Sequence, residues 1–222
     1  MTSKLSQQEL RSAVATVASA LGTLDAKFGI CGGAGVSLIT DHYHFRPRQT
    51  ADIDLIIQPD KNRNVSADTI SQKLMKDYSE QFATVSQYGV STPAVRLQRN
   101  GQEILVEVEI FDVEAWPNRP QYNLDNPKNS RITLNVSGKS VYVLSPDWLL
   151  REKILAQKQR EGNRKEESDI ADVETLVQIV GDKGLVLEEE EFVEALENLL
   201  QKRPDLRAVL ERAIECPKVF TS

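Results

Sequence analysis

The sequence predicts an α/β (α+β) fold in which a mixed sheet with flanking helices is followed by a helical domain. Segments with the alternation of β-strands occur only before about residue 144. Two of them are joined by Asn100-Gly101, a dipeptide typical of a tight β-hairpin turn. After Ser145-Pro146-Asp147, which is typical of a helix start, only helical patterns follow. We therefore expect an α/β domain over residues 1–144 and a helical domain over residues 145–222.

The α/β half is predicted to begin with an amphipathic helix, because apolar residues recur there at spacings of three and four. Glycines then predict a tight turn between a strand and a short helix. In chain order, the predicted elements are a helix at 6–24, a strand at 27–31, a turn at 32–35, a helix at 36–40, a loop at 41–50, a strand at 52–57, a helix at 66–78, and strands at 94–98, 103–111, 132–136 and 141–144. The second half is predicted to contain helices at 146–159, 166–180, 189–201 and 206–215.

The composition argues against nucleic acid and membranes as binding partners. With 27 Lys and Arg against 33 Asp and Glu, the 222-residue chain has a net charge of -6. Because phosphate affinity comes mainly from basic side chains, this acidity argues against extended nucleic-acid binding. The two cysteines lack metal-ligand spacing, and no apolar stretch approaches the length of a membrane span. We therefore expect a cytoplasmic protein that does not enter membranes.

Two aspartates lie two residues apart, in the segment Asp52-Ile53-Asp54-Leu55. On a strand, residues i and i+2 point to the same face, with their stems about 7 Å apart. Two carboxylates placed in this way repel each other unless a cation lies between them. Mg²⁺ prefers oxygen ligands and commonly joins protein carboxylates to substrate phosphates. Asp52 and Asp54 are therefore predicted to be catalytic and to bind Mg²⁺ or Mn²⁺.

A third acid is expected on the predicted strand at 103–111. Its even-numbered positions are apolar, and its other face carries Glu103, Glu107 and Glu109. The alternative is an ordinary sheet with one solvated face. Because adjacent like charges destabilise a strand unless something offsets them, we favour a metal beside at least one of these glutamates. Glu109 is the preferred third metal ligand and catalytic acid, with Glu107 as its substitute.

The glycine pair Gly32-Gly33 follows a predicted strand and precedes a predicted helix. Such a position presents backbone N–H groups and a positive dipole end to an anion, and glycine allows a phosphate to come close. We predict that this pair binds the triphosphate of a nucleotide, with a simple strand–helix turn as the alternative. Arg48 and Thr50 are predicted to be further nucleotide-binding residues, although Arg48 can equally hold the acidic strand electrostatically.

One lysine of the helical half, Lys153, lies in an otherwise apolar stripe of its predicted helix. Its aliphatic stem can simply cover apolar surface, or its ammonium can enter a cleft and stabilise a triphosphate. We include it among the predicted nucleotide-binding residues. On the next predicted helix, Asp169 and Asp172 are suitably spaced to form ion pairs with Lys153, Arg160 or Arg164, and we interpret such pairs as structural.

Together these residues resemble the minimal nucleotidyltransferases of the DNA polymerase β superfamily. The resemblance rests on Ile30-Cys31-Gly32-Gly33, then Asp52-Ile53-Asp54-Leu55, then Glu109, and covers about residues 26–180. The segment from Arg48 to Leu55 and the helical half are similar to the AbiEii-like branch, the toxins of type IV toxin–antitoxin systems. Where that superfamily often has serine, this chain has Gly33, and its usual third aspartate is a glutamate here.

This resemblance implies a nucleotidyltransferase-type sheet and a metal-dependent enzyme. The enzyme would transfer a nucleoside monophosphate from a nucleoside triphosphate to a hydroxyl acceptor, using two Mg²⁺ ions. The acceptor and the preferred base are left open, and the acceptor can be a small molecule, a tRNA or a protein hydroxyl. One alternative is a catalytically inactive protein of the same fold that binds a nucleotide or a protein partner. Another is an RNA-tailing enzyme that uses a small basic patch at 158–165.

Overall fold

The computed structural model describes residues 4–87, 89–115, 122–126, 130–182 and 184–220. The chain forms two compact units. The first comprises the residues up to His42 together with Arg46–Ser145, and the second comprises Tyr43–Phe45 together with the residues from Pro146 onward. No helix among the described residues is long and apolar enough to span a bilayer.

In its described residues, the first unit contains a seven-stranded mixed sheet and three α-helices. The helices are α1 (Gln7–Thr23), α2 (Gly32–His42) and α3 (Ala67–Asp77). The strands are β1 (Phe28–Cys31), β2 (Ile53–Ile57), β3 (Phe82–Gln87), β4 (Val90–Arg99), β5 (Gln102–Phe111), β6 (Arg131–Val136) and β7 (Lys139–Leu144). Their order in the sheet is β3-β4-β5-β2-β1-β7-β6. The mixed α/β fold is therefore confirmed.

The two central strands, β1 and β2, carry the part of the sheet that matters for the site. Every residue of β1 and β2 is buried except Asp54, which is half-buried. They pair antiparallel, whereas β2 pairs parallel with β5 and β1 pairs parallel with β7. Asp54 is thus an acid within an otherwise buried strand, where desolvation makes an uncompensated carboxylate costly.

The three helices cover the sheet through their apolar stripes. Helix α1 contacts β4, β6 and β7, α2 contacts β1, β2 and β7, and α3 contacts β3, β4 and β5. Helix α1 buries residues at helical spacing, among them Leu10, Val14, Val17 and Leu21. It begins at Ser6, whose hydroxyl accepts the amide hydrogen of Glu9 while the Glu9 carboxylate binds the Ser6 amide. Local capping and burial therefore agree about where this helix starts.

The second unit is mostly helical. Its helices are α4 (Pro146–Gln159), α5 (Arg164–Val180), α6 (Glu190–Lys202) and α7 (Arg207–Ala213). Helix α4 packs against α5 and α6, and α5 packs against α7. A short parallel pair, β8 (Leu185–Val186) with β9 (Ile214–Glu215), completes this unit.

Several details differ from the sequence-based expectations. Strand β2 begins at Ile53, so Asp52 lies just before the strand and not within it. The glycines at 32–35 form the first turn of α2 rather than a separate turn before it, so the helix starts four residues earlier than we predicted. Strand β3 was not predicted, because Phe82–Gln87 lacks a clean alternation of apolar and polar residues. The last predicted helix ends at Ala213, and the next two residues pair with β8 instead.

Candidate active site

The glycine elbow, Gly32-Gly33, connects β1 to α2 and lies directly against Asp54. Strand register explains this contact, because Cys31, the last residue of β1, is paired with Asp54 of β2. Gly32 has φ 55°, in the left-handed region that favours glycine. A Cβ atom at this position would lie 1.8 Å from Oδ2 of Asp54. Position 32 must therefore lack a side chain for two reasons, its backbone conformation and the adjacent carboxylate.

The second glycine of the elbow is covered by the segment that precedes β2. A Cβ atom at Gly33 would lie 2.7 Å from Oγ1 of Thr50 and 3.1 Å from Nη2 of Arg48. The Thr50 hydroxyl donates a hydrogen bond of 2.8 Å to Oδ1 of Asp52. The elbow is thus surrounded by a guanidinium, a hydroxyl and two carboxylates. The structure brings these sequence-predicted residues together.

The acids of β2 and β5 face each other across a parallel strand pair. Asp54 is directly opposite Glu109 in the register. Residues that are opposite each other in adjacent strands project to the same face of the sheet. The Glu109 side chain is exposed, whereas Glu107, two residues earlier, is half-buried. Of the two candidate third acids, Glu109 is therefore the direct neighbour of Asp54.

The third glutamate of β5 has a different partner. Both carboxylate oxygens of Glu103 accept hydrogen bonds from Nη1 of Arg96 on β4, at 3.0 and 2.9 Å. This cross-strand ion pair offsets the charge of Glu103. The acidic face of β5 is thus compensated at one end by an arginine, and only its Glu107–Glu109 end is close to β2.

The carboxylates near the elbow can bind a hard divalent cation if water and substrate phosphates supply the other ligands. No group of three or more His, Cys, Asp and Glu side chains in the described part of the chain is arranged to hold a metal ion. Mg²⁺, however, is usually bound by one or two carboxylates together with water and substrate phosphates. Asp52 and Asp54 provide such carboxylates beside the backbone amides of the elbow. The residues present therefore fit Mg²⁺ that binds together with its nucleotide.

In the helical unit, Lys153 is part of a buried ion cluster. Its Nζ lies 2.6 Å from Oδ1 of Asp169 and 2.9 Å from Oδ2 of Asp172. The side chains are 7%, 1% and 4% exposed, respectively. Burial lowers the pKa of Lys153, but the charges of Asp172 and Asp169 outweigh it, so the pKa is raised overall and the lysine stays charged.

A second cation completes this cluster. Nη1 of Arg160 lies 2.7 Å from Oδ2 of Asp169, the oxygen that Lys153 does not bind. The structure thus contains the Lys153 and Arg160 ion pairs with these aspartates that the spacing predicted. The ammonium of Lys153 is engaged within its own unit, so a nucleotide-binding role for this residue stays a prediction.

One connection to the site was missed by the sequence reasoning. The amide of Leu5, in the segment before α1, donates a 2.8 Å hydrogen bond to the carbonyl of Thr50. This segment is held in turn by Arg99 of β4, which donates a 3.2 Å hydrogen bond to the Lys4 carbonyl and also binds the Glu9 carboxylate of α1 at 2.6 and 2.8 Å. The helix cap at Ser6 and Glu9 was visible in the sequence, but nothing indicated that the residue before it contacts Thr50.

Comparison with known proteins finds a nucleotidyltransferase family and nucleotidyltransferase structures. The family model described as the nucleotidyl transferase AbiEii toxin of type IV toxin–antitoxin systems matches residues 18–219. The chain is similar to an antigenic nucleotidyltransferase-like protein from Paracoccidioides brasiliensis, whose crystal structure it matches with 41% identity and a TM-score of 0.89 over 99% of this chain and 100% of that one.

Other solved structures match at much lower identity. One is the antibiotic-resistance factor ANT(2'')-Ia, at 15% identity and a TM-score of 0.45 over 92% of this chain and 95% of that one. Another is the lincosamide antibiotic adenylyltransferase LnuA, at 12% identity and a TM-score of 0.45 over 80% of this chain and 99% of that one. No match was found among curated proteins. From the family match over most of its length, the chain belongs to the AbiEii family of nucleotidyltransferases.

Proposed function

We propose that this protein transfers a nucleoside monophosphate from a nucleoside triphosphate to a hydroxyl acceptor in a reaction that needs Mg²⁺ or Mn²⁺. The observation that carries the proposal is the position of Asp54, which packs directly against the glycine elbow and is opposite Glu109 in the sheet. We further propose that the transferase domain ends near residue 144 and that residues 145–222 form an accessory helical domain.

The triphosphate would bind at the elbow. The first turn of α2 has amide groups without intrahelical partners, and the positive end of the helix dipole favours an anion there. The guanidinium of Arg48, whose Nη2 would lie 3.1 Å from a Cβ at Gly33, can pair with phosphate oxygens in bidentate fashion. Asp54 and Thr50 occupy the side-chain space of the two glycines, so the phosphate would bind at the amide groups and the guanidinium.

Asp52 and Asp54 would hold the metal, with Glu109 as third acid and Glu107 as its substitute. When bound, the metal neutralises phosphate charge and stabilises the charge that develops on the leaving group. The acceptor hydroxyl loses its proton to Glu109, and its oxygen forms a bond to the α-phosphorus. The bond between the α-phosphorus and the bridging oxygen breaks, and pyrophosphate leaves. The acceptor is a small molecule, a tRNA or a protein hydroxyl.

The test is a transfer assay with each of the four α-labelled nucleoside triphosphates, Mg²⁺ and fractionated cell extract as acceptor source. The wild type is compared with Asp54→Asn and with Asp77→Asn, an exposed aspartate at the end of α3. We expect labelling by the wild type and by Asp77→Asn, and a loss of at least about a hundredfold in Asp54→Asn, as for removal of one strong transition-state contact. Equal labelling by all three proteins would exclude this mechanism.

A catalytically inactive, nucleotide-binding protein is distinguished by a titration. Calorimetry with a non-hydrolysable ATP or GTP analogue is carried out in Mg²⁺ and again in excess chelator. The proposed enzyme should bind much more weakly without the cation, since the carboxylates and the phosphates then repel each other. Binding that is independent of the cation, with no transfer product in any fraction, would favour the inactive alternative.

A further inference from the structure

We infer that Thr50 is a positioning residue, whose hydroxyl fixes the carboxylate of Asp52, and that Gly33 is glycine because this hydroxyl takes up the space of its side chain. The inference rests on the proposed function, since it concerns the same metal site. It differs from the direct nucleotide contact that the sequence predicted for Thr50.

The first step of the inference is the direction of the Thr50 hydroxyl. Thr50 is 4% exposed, and a hydroxyl at this burial needs a hydrogen-bond partner. Among the described residues it reaches two acceptors, both of Asp52: Oδ1 at 2.8 Å and the backbone carbonyl at 3.4 Å. The shorter contact decides, since hydrogen bonds between oxygen atoms are best at 2.7–2.8 Å. The single hydroxyl proton is therefore directed to the Asp52 carboxylate.

The second step is that the backbone of Thr50 is itself fixed. Its carbonyl accepts the 2.8 Å hydrogen bond from the amide of Leu5, a residue that is 4% exposed. The order of contacts thus runs from the buried Leu5 to Thr50 and from Thr50 to Asp52. Asp52 lies just before β2, so the sheet does not orient its carboxylate. The contact with Thr50 gives this carboxylate a defined orientation. Outer groups of this kind orient metal ligands.

The third step is steric. A Cβ atom at Gly33 would lie 2.7 Å from the Thr50 hydroxyl oxygen, closer than side-chain carbons approach other heavy atoms. Any side chain at position 33 must therefore displace this hydroxyl, whereas the Arg48 guanidinium, with Nη2 at 3.1 Å, would have to move by less. The reason is not backbone conformation, because the positive φ at the elbow belongs to Gly32. Gly33 and the Thr50–Asp52 hydrogen bond consequently depend on each other.

The metal half of the inference is tested with Mn²⁺ as probe in the full-length protein, first alone and then with a saturating non-hydrolysable nucleotide analogue. Free Mn²⁺ is followed by electron paramagnetic resonance for the wild type, Thr50→Val and Thr50→Ser. Valine has nearly the shape of threonine but no hydroxyl, and serine keeps the hydroxyl. We expect Thr50→Val to weaken Mn²⁺ binding by about tenfold or more, the usual effect of losing an outer partner, and Thr50→Ser to stay close to the wild type.

The steric half is tested by unfolding, which requires neither metal nor nucleotide. Gly33→Ala should lower the urea midpoint of the wild type. In a Thr50→Ala background the same change should lower the midpoint much less, because the 2.7 Å contact is gone and only the Arg48 side chain, at 3.1 Å, must still move. An equal decrease in both backgrounds would overturn the steric argument.

The failures of the two proposals can be told apart. If the wild type binds Mn²⁺ and Thr50→Val binds it equally well, the positioning role is overturned and the proposed function stands. If the wild type binds no Mn²⁺ alone or with a nucleotide analogue, the metal-dependent function is overturned, and the orienting role of Thr50 with it. The unfolding comparison decides the steric relation in either case.

Discussion

Replacement of Lys153 by methionine should destabilise the helical unit strongly. Methionine keeps much of the aliphatic volume but leaves the Asp169 and Asp172 carboxylates without their shared cation. These side chains are only 1% and 4% exposed, so water cannot replace the ammonium. Removing one partner of a buried ion pair typically costs about 3–5 kcal/mol in unfolding free energy. That is a large part of the total stability of a typical domain, about 5–15 kcal/mol.

The assay is urea unfolding monitored by far-ultraviolet circular dichroism, with Lys158→Met as the matched control. Lys158 lies on the same helix, but its ion pair with Glu194 is more exposed, at 34% and 55%, so its removal should cost less than about 1 kcal/mol. The double variant Lys153→Met/Asp172→Asn should recover part of the loss, because the uncompensated charge is gone. We expect a coupling free energy of about 1 kcal/mol or more between the two positions.

The pH dependence supplies an independent check. A buried carboxylate that has lost its cation favours its protonated form. Folding of Lys153→Met should then take up a proton, so its deficit relative to the wild type should shrink as the pH falls below neutral. The reasoning is refuted if Lys153→Met is as stable as Lys158→Met. Weakened nucleotide binding in such a stable variant would instead assign Lys153 to the triphosphate.

Three further predictions concern the α/β unit. Gly32→Ala should lower the free energy of unfolding by at least about 1–2 kcal/mol, because the residue has φ 55° and the new Cβ would lie 1.8 Å from Asp54 Oδ2. The control is Gly22→Ala in α1, where no atom lies within 4 Å of the new Cβ. This variant should be neutral or stabilising in the same urea titration. Arg99 first, then the Ser6 amide, lower the pKa of Glu9 from 4.5 to about 2, so its contribution to stability is complete above about pH 4.5 and is lost as the pH falls toward 2. The stabilities of the wild type and Glu9→Gln should accordingly converge at the acid end, and parallel curves would contradict this. Ser66→Ala should cost about 1 kcal/mol, since it removes the capping box of α3, and an unchanged thermal midpoint would contradict this.

Elements with a strong local signal could be predicted from the sequence alone. Helix α4 has the predicted bounds, and the Asn100-Gly101 turn has positive φ at both residues, as a two-residue hairpin requires. In contrast, the first turn of α2 is rich in glycine, which has a low helix propensity. There, the space occupied by Asp54 and Thr50 requires glycine within a helix, and such a requirement comes from residues that are distant in the sequence.

The residues of the candidate site were proposed from the sequence, but their arrangement was not. The rule that residues i and i+2 of a strand share a face does not apply to Asp52, because this residue precedes β2, and its contact with Thr50 is visible only in the structure. The choice between Glu107 and Glu109 depends on the register between β2 and β5, strands that are separated by more than forty residues. A shift by one residue would turn the whole set of side chains to the other face.

The sequence by itself determined the α/β class, the helical second half, the acids and glycines of the elbow, and the pairing partners available to Lys153. Only the tertiary structure decided that Asp54 is opposite Glu109, that the Thr50 hydroxyl takes the side-chain space of Gly33, and that Lys153 is engaged by two buried aspartates. The physical reason is that local propensity and periodicity act over a few residues. Strand register and close packing are fixed by contacts between residues far apart in the chain, whose positions depend on the complete fold.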